Sequence, residues 1–299
     1  MGEVVAVVGQ AALGVVLLLA AWWPIRARVA RQTERRFERR YPRSADGVVI
    51  GAEPVRMVGS RRGRCLLLHG FNDSPQSMHA LARAIHARGW SVDVPLLPGH
   101  GRNLQAFARE GSASWLDAAR NACQEALATG EPTAVIGLSM GGALALILGA
   151  ELPQIRAIVG IAPYVGTPRL LDLVLPLGPI ASIGSRYLIG SRRPSILDRD
   201  AANAIIAYRA STARLLRELA RVTRAAARAL PAVSQPVLVQ QSVTDPRISV
   251  RTALKGFDRI GSRDKQLDWI TGAGHVLTVD YGHRERTERI LAWLEPRLV

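Results

Sequence analysis

Three residues far apart in the chain have the types that acyl-transfer chemistry needs. Ser139 lies in Gly137-Leu138-Ser139-Met140-Gly141, a GxSxG pattern between an apolar run and a helical one. A serine on such a strand-to-helix turn stands clear of the backbone, and the flanking glycines allow the close approach. His275, in Gly272-Ala273-Gly274-His275, has the ring to take the hydroxyl proton, and Asp245 has the carboxylate to fix its tautomer and stabilise the imidazolium. Taken singly, these residues fit an ordinary glycine-rich turn, a surface-loop histidine and a turn-capping aspartate beside Pro246. Together, in the chain order Ser, Asp, His, they point to a nucleophile, a base and an orienting acid. Asp280, five residues beyond His275, is the rival carboxylate.

A tetrahedral intermediate also requires donors for its negative oxygen. The run Leu66-Leu67-Leu68-His69-Gly70-Phe71 ends so that the Phe71 N–H serves as one donor, and Met140, following the nucleophile, supplies the other. His69 is read as an organiser of that loop, because the base of this constellation follows the serine and acid in the chain.

Positioning these groups calls for strands that end along one edge. The apolar runs Arg64–His69, Trp90–Leu96, Thr133–Leu138, Ile155–Ala162, Pro236–Gln241 and Lys265–Ile270 read as strands, and Val48–Val58 as a leading hairpin. Helical patterns lie between them at about 75–88, 112–129, 140–150, 250–260 and 284–295. Such alternation predicts an α/β fold with a mostly parallel sheet flanked by helices. Asp245 and His275 would then follow strand C-terminal ends, where such sheets collect their chemistry.

The stretches LLLHGF, LPGHG, GLSMGG, PVLVQQSVTD and GAGHVLTVD, in that order, resemble those of the monoacylglycerol lipase and carboxylesterase family of α/β-hydrolases. The resemblance covers about residues 64–295. It implies an α/β-hydrolase fold with Ser139, Asp245 and His275 as the catalytic triad. One departure is visible: Gln241-Ser242-Val243-Thr244 precedes Asp245 where many members have a small Gly-x-x turn.

The 299 residues suit one catalytic domain with appendages, expected over 47–299. Within it, about 166–235 is too long for a simple crossover and reads as a helical cap insert, with Leu170 to Ile183 broken by Pro176, Gly178 and Pro179, and helical periodicity over Ala204–Leu230. The cap is read either as an apolar acyl-chain entrance with arginines near lipid headgroups or as a packed helical excursion with a solvated basic face.

The formal net charge of +15 is concentrated in two places, residues 24–43 and this insert. No nucleic-acid-binding pattern accompanies it, so nucleic acid is not expected as a partner. Cys65 and Cys123 lack disulfide or metal-ligand spacing and read as buried thiols; neither a metal nor a cofactor is implied.

From Val4 to Trp23 the only strongly polar residue is Gln10, and as a helix the run is about 30 Å long, close to a bilayer core. Trp22 and Trp23 close it, and Arg26, Arg28, Arg31, Arg35, Arg36, Arg39 and Arg40 follow. The expectation is a membrane anchor over 1–23 and a basic juxtamembrane linker over 24–46, of which 26–43 read as a helix or linker ended near Pro42. By the positive-inside bias the protein would be single-pass, with its catalytic domain on the cytoplasmic side. A cleaved signal peptide would place basic residues before the apolar run, and here Glu3 is the only early side-chain charge.

The predicted function is hydrolysis of carboxylic esters, monoacylglycerol-like or medium-chain, through an acyl-enzyme. A thioesterase, acyltransferase or lysophospholipase on the same triad is the alternative, and a non-catalytic, membrane-tethered binding protein is a further one. Oligomeric state is not legible.

Overall fold

The computed structural model describes residues 2–166, 186–189 and 194–298, with side chains in the first helix described from Ala21 onward apart from Gly14. The body is a seven-stranded sheet in the order β1-β3-β2-β4-β5-β8-β9. Its strands are β1 (Val55–Met57), β2 (Arg64–Leu68), β3 (Ser91–Val94), β4 (Thr133–Leu138), β5 (Ala157–Ile161), β8 (Val237–Ser242) and β9 (Lys265–Ile270). Only β1 runs antiparallel, pairing Val55 with Val94 of β3; the other pairings are parallel.

The apolar runs of the inner strands β2, β4, β5 and β8 are explained by burial on both faces. In β2, Leu66 and Leu68 point into one hydrophobic cluster and Cys65 and Leu67 into the other. Likewise Val135 of β4 faces the first cluster, while Ala134, Ile136 and Leu138 face the second. The first cluster takes in residues of α4 (Ser112–Ala128) and α5 (Met140–Glu151), and the second those of α2 (His79–Ala87) and α9 (His283–Leu294). Both cysteines are buried and unpaired, and burial raises their thiols, that of Cys123 to about 11.

The parallel register lines up the strand ends: Leu138 stands opposite Ile161, Ile161 opposite Gln240, and Ser242 opposite Ile270. The residues just beyond these ends therefore share one edge.

The leading hairpin expected over Val48–Val58 does not form. Gly51, at φ 92°, turns the chain, leaving a single Arg43–Val49 bridge and the short β1, which pairs with β3 instead of with a hairpin partner. Short α3 (Leu104–Arg109) and α6 (Arg199–Ala204) carry no long periodicity and are not foreseen. In the insert, β6 (Leu188–Ile189) and β7 (Ala210–Ser211) form a two-stranded antiparallel ribbon. Helix α7 runs over Ala213–Ala229 and does not begin near Ala204, because the Thr212 side chain caps it by accepting from the Leu215 N–H. α8 (Val250–Asp258) follows β8. The expected apolar pieces from Leu170 to Ile183 lie outside the described residues.

At the N-terminus, α1 runs unbroken from Gly2 to Arg40, with Pro24 inside it. The expected linker is thus helical up to Arg40, and Ala30, Phe37 and Tyr41 are buried against the body. No helix of the described residues is long and apolar enough to cross a membrane. The expected transmembrane anchor over 1–23 is therefore unsupported here; most of its side chains lie outside those described.

Candidate active site

Ser139 occupies the turn between β4 and α5 at φ 54° and ψ −111°, a conformation rarely adopted by a residue with a side chain. The surrounding glycines make it attainable. A Cβ on Gly137 would lie 2.1 Å from the Gly141 carbonyl oxygen, and one on Gly141 would lie 2.0 Å from that of Leu68. Larger residues at either position would push β4, α5 and β2 apart.

The structure brings Ser139, His275 and Asp245 together. Ser139 Oγ and His275 Nε2 are 2.8 Å apart, and His275 Nδ1 and Asp245 Oδ2 are 2.7 Å apart. With the proton on Nδ1 donated to Asp245, the Nε2 lone pair faces the serine hydroxyl. That tautomer suits removal of the hydroxyl proton.

Asp245 is wholly buried as a side chain, which by itself would raise its carboxyl. The hydrogen bond and charge of His275, and the N–H groups of Arg247 and Ile248 donating to Oδ1 at 2.7 and 3.0 Å, outweigh burial and hold the carboxyl below its ordinary range. Gln241 Nε2 also donates to Oδ2, at 2.9 Å. Gln241 is a site residue that the sequence reading missed; the signal that marks it is the change from aliphatic to amide residues at Gln240-Gln241, toward the C-terminal end of the strand.

Asp280, the rival acid, is fully buried but has another task. Its Oδ2 accepts the N–H groups of Gly274 at 2.7 Å and Leu197 at 2.9 Å, and its Oδ1 accepts those of Asp198 and Tyr281, each at 2.9 Å. It organises the loop of the histidine. Ser195 adds to this: its carbonyl accepts the N–H of His275 at 2.7 Å and that of Val276 at 3.0 Å.

Phe71 follows the C-terminal end of β2, and Met140 is the first residue of α5, where a helix leaves its N–H groups without intrahelical partners. A Cβ on Gly70 would lie 3.5 Å from Ser139 Cβ, so the loop carrying Phe71 sits directly beside the nucleophile. His69 braces that loop, its Nδ1 donating to Gly70 O at 3.0 Å and its Nε2 accepting the Leu97 N–H at 3.2 Å. Burial lowers it to about 4, so it stays neutral. Asp73 is buried next to it: its Oδ2 accepts from Ser77 Oγ at 2.6 Å and from Gly70 N–H at 3.3 Å, while Oδ1 has no hydrogen-bond partner among the described residues. Burial raises the Asp73 carboxyl to about 6. Among the described residues, no cluster of His, Cys, Asp or Glu suits a metal ion.

A largely parallel sheet between helical layers, with serine, imidazole and carboxylate joined at the ends of its strands, defines a serine hydrolase of the α/β-hydrolase fold. The chain belongs to the family described as serine aminopeptidase, S33, whose model matches residues 59–281. It is 30% identical to the thermostable monoacylglycerol lipase of Bacillus sp. (strain H-257) over 82% of this chain and 94% of that one. It is 24% identical to a carboxylesterase of Bacillus subtilis (strain 168), over 78% and 92% of the two chains. A solved structure from work on the metagenome-derived lipolytic enzymes LipS and LipT superimposes with a TM-score of 0.74 at 29% identity, covering 83% of this chain and 99% of the other.

Proposed function

We propose that the protein hydrolyses carboxylic esters of monoacylglycerol or medium-chain type by way of an acyl-enzyme on Ser139. The observation that carries this reading is the unbroken Ser139–His275–Asp245 relay, found in a chain similar to a monoacylglycerol lipase along most of both lengths. His275 Nε2 takes the Ser139 proton as Oγ attacks the ester carbonyl carbon. The N–H groups of Phe71 and Met140 receive the negative oxygen of the tetrahedral intermediate, each such donor contributing about 2.7–4 kcal/mol to the barrier reduction. The intermediate collapses with His275 returning the proton to the leaving alcohol. Water, deprotonated by the same imidazole, then attacks the acyl-serine and releases the acid.

A panel of 1-monoacylglycerols, p-nitrophenyl esters of graded chain length, acyl-thioesters, lysophospholipids and aminoacyl p-nitroanilides tests the reading. Preference for the oxygen esters supports it. Preference for a thioester or lysophospholipid would move the protein to the alternative chemistry on the same triad, and preference for the anilide would favour peptidase activity. Failure of a fluorophosphonate to label Ser139 would leave a binding protein.

The further proposal is attachment to a membrane through the run Val4–Trp23, with the catalytic body on the cytoplasmic side. Support comes from that apolar run, from exposed Trp22 and Trp23 at its end, and from the arginines that follow. Retention in the membrane fraction after carbonate washing, with the body protected from protease added to intact cells, is the expected result. A soluble form beginning near Trp22 would overturn it.

A further inference from the structure

Helix α1 lies outside the residues that the family model matches, yet its last turns pack on a residue that leads to the site. The Phe37 ring stacks on Tyr208 with centroids 4.8 Å apart, and Tyr41 Oη donates to Ile205 O at 3.0 Å. One turn earlier, Glu34 accepts from Tyr187 Oη at 2.6 Å and from Gln105 Nε2 at 3.1 Å. Tyr208 is fixed at its other contacts too: its hydroxyl donates to Gly99 O at 2.6 Å and accepts the Arg102 N–H at 3.0 Å.

From Tyr208 two routes lead to Phe71. By its ring, Tyr208 stacks on Phe107 with centroids 4.5 Å apart and planes 8° from parallel, and Phe107 lies 5.2 Å from the Phe71 ring. By its backbone, the Tyr208 N–H donates to Asn72 O at 3.1 Å. Asn72 has φ 61°, a left-handed conformation that asparagine adopts more readily than other residues with a side chain, and it turns the chain just after Phe71. Trp115, with its centroid 5.8 Å from that of Phe71, braces the ring from a second direction, but the Phe107 contact and the hydrogen bond to the residue that follows Phe71 both lead back to Tyr208, on which Phe37 is stacked.

Resting on the ester-hydrolase reading for its catalytic consequence, we infer that Phe37 is a positioning residue: through Tyr208 it holds the Phe71 N–H where the negative oxygen forms. An element outside the family match is in this way part of the working site. Because that N–H serves the transition state more than the bound ester, Phe37→Ala lowers kcat and kcat/KM for p-nitrophenyl butyrate together, by about tenfold, with KM little changed. This is a fraction of the ~10²–10³-fold that follows loss of a whole oxyanion donor. Phe37→Leu keeps apolar bulk, serves if the alanine variant does not fold, and shows the same direction more weakly. Hydrogen exchange of the Gly70 to Asp73 amides rises in either variant, a readout independent of turnover. Arg35→Ala, an exposed change on the same helix, moves neither quantity. Unchanged kcat and unchanged exchange in a folded Phe37 variant would overturn the inference, as would an equal effect of Arg35→Ala. An inactive wild type whose Phe37 variants still show raised exchange would overturn the ester reading and leave the positioning intact.

Discussion

Gly274 donates its backbone N–H to Asp280 Oδ2 at 2.7 Å, so the residue immediately before His275 is tied to the one carboxylate that competes with Asp245 in sequence. The two acids therefore fail differently when made neutral. Asp280→Asn sets an amide NH2 against two of the four N–H groups that the carboxylate accepts and lowers the free energy of unfolding by about 3 kcal/mol. Burial alone would raise the Asp280 carboxyl, but those N–H groups hold it below the ordinary value of 3.8, so its contribution is present above that pH and is lost as pH falls through the folded value. Urea titrations at pH 7 and pH 3 should show the wild-type advantage shrinking. Asp245→Asn retains an oxygen for the Arg247 and Ile248 N–H groups, turns its NH2 toward His275 and favours the wrong tautomer. It should lower kcat on the order of 10⁴-fold, with a smaller change in stability.

Ser139→Ala and Ser139→Gly should both lack turnover and fluorophosphonate labelling, since each lacks the hydroxyl. They should differ in stability. Alanine keeps the strain of φ 54° and glycine relieves it, so the glycine variant should unfold about 1 kcal/mol less readily, after allowing for its looser unfolded chain. Equal midpoints in urea would mean that the turn is unstrained.

Gln241→Met removes the amide that shares Asp245 Oδ2 with His275 while keeping the side-chain length. The carboxylate loses an orienting donor, and kcat and kcat/KM should fall together by about tenfold, in line with the ~1.5–3 kcal/mol of a hydrogen bond to a charged group when only part of it acts in the transition state. Steady-state kinetics at saturating ester would check this; a rise in KM alone would show that Gln241 acts on substrate binding.

Asp73 gives a pH dependence of the opposite sign to Asp280. Burial raises its carboxyl from 3.8 to about 6 in the folded protein, so the native state holds this proton more tightly than the unfolded chain does. Its contribution is complete below about pH 3.8 and is lost as pH rises through about 6. Asp73→Asn, which resembles the protonated acid, should be more stable than wild type at pH 8, by at most about 3 kcal/mol, and equal to it at pH 4. Denaturation midpoints across that range test it, and an advantage independent of pH would contradict it.

The reactive residues were legible in the sequence because each sits just beyond a strand whose apolar run announces its end: Ser139 after Leu138, Asp245 shortly after Ser242, His275 after Ile270. What escaped depends on contacts between distant segments. Nothing local in Phe37, Phe107 and Tyr208 shows that their rings stack, and nothing near Asp280 shows that Leu197 and Asp198 come to meet it. The Val48–Val58 hairpin failed for a related reason: β-forming residues choose partners by what the sheet offers, and β3 offered an edge to Val55–Met57. The late start of α7 was readable, since Thr212 three residues before Leu215 is an N-cap signature that periodicity alone overrides.

Ser195 sets a limit on how this protein can be rebuilt. The insert invites exchange with those of other hydrolases to alter chain-length preference, and sequence alone would place the far junction near residue 235. Yet Ser195 receives the His275 and Val276 N–H groups on its carbonyl, and its hydroxyl accepts from Arg247 Nε at 3.0 Å, two residues beyond Asp245. A graft that replaces Ser195 discards the strap across both the base and the acid. Chimeras that keep Pro194 to Asp198 from this chain should stay active with a foreign cap, and those that do not should lose turnover whatever cap they carry.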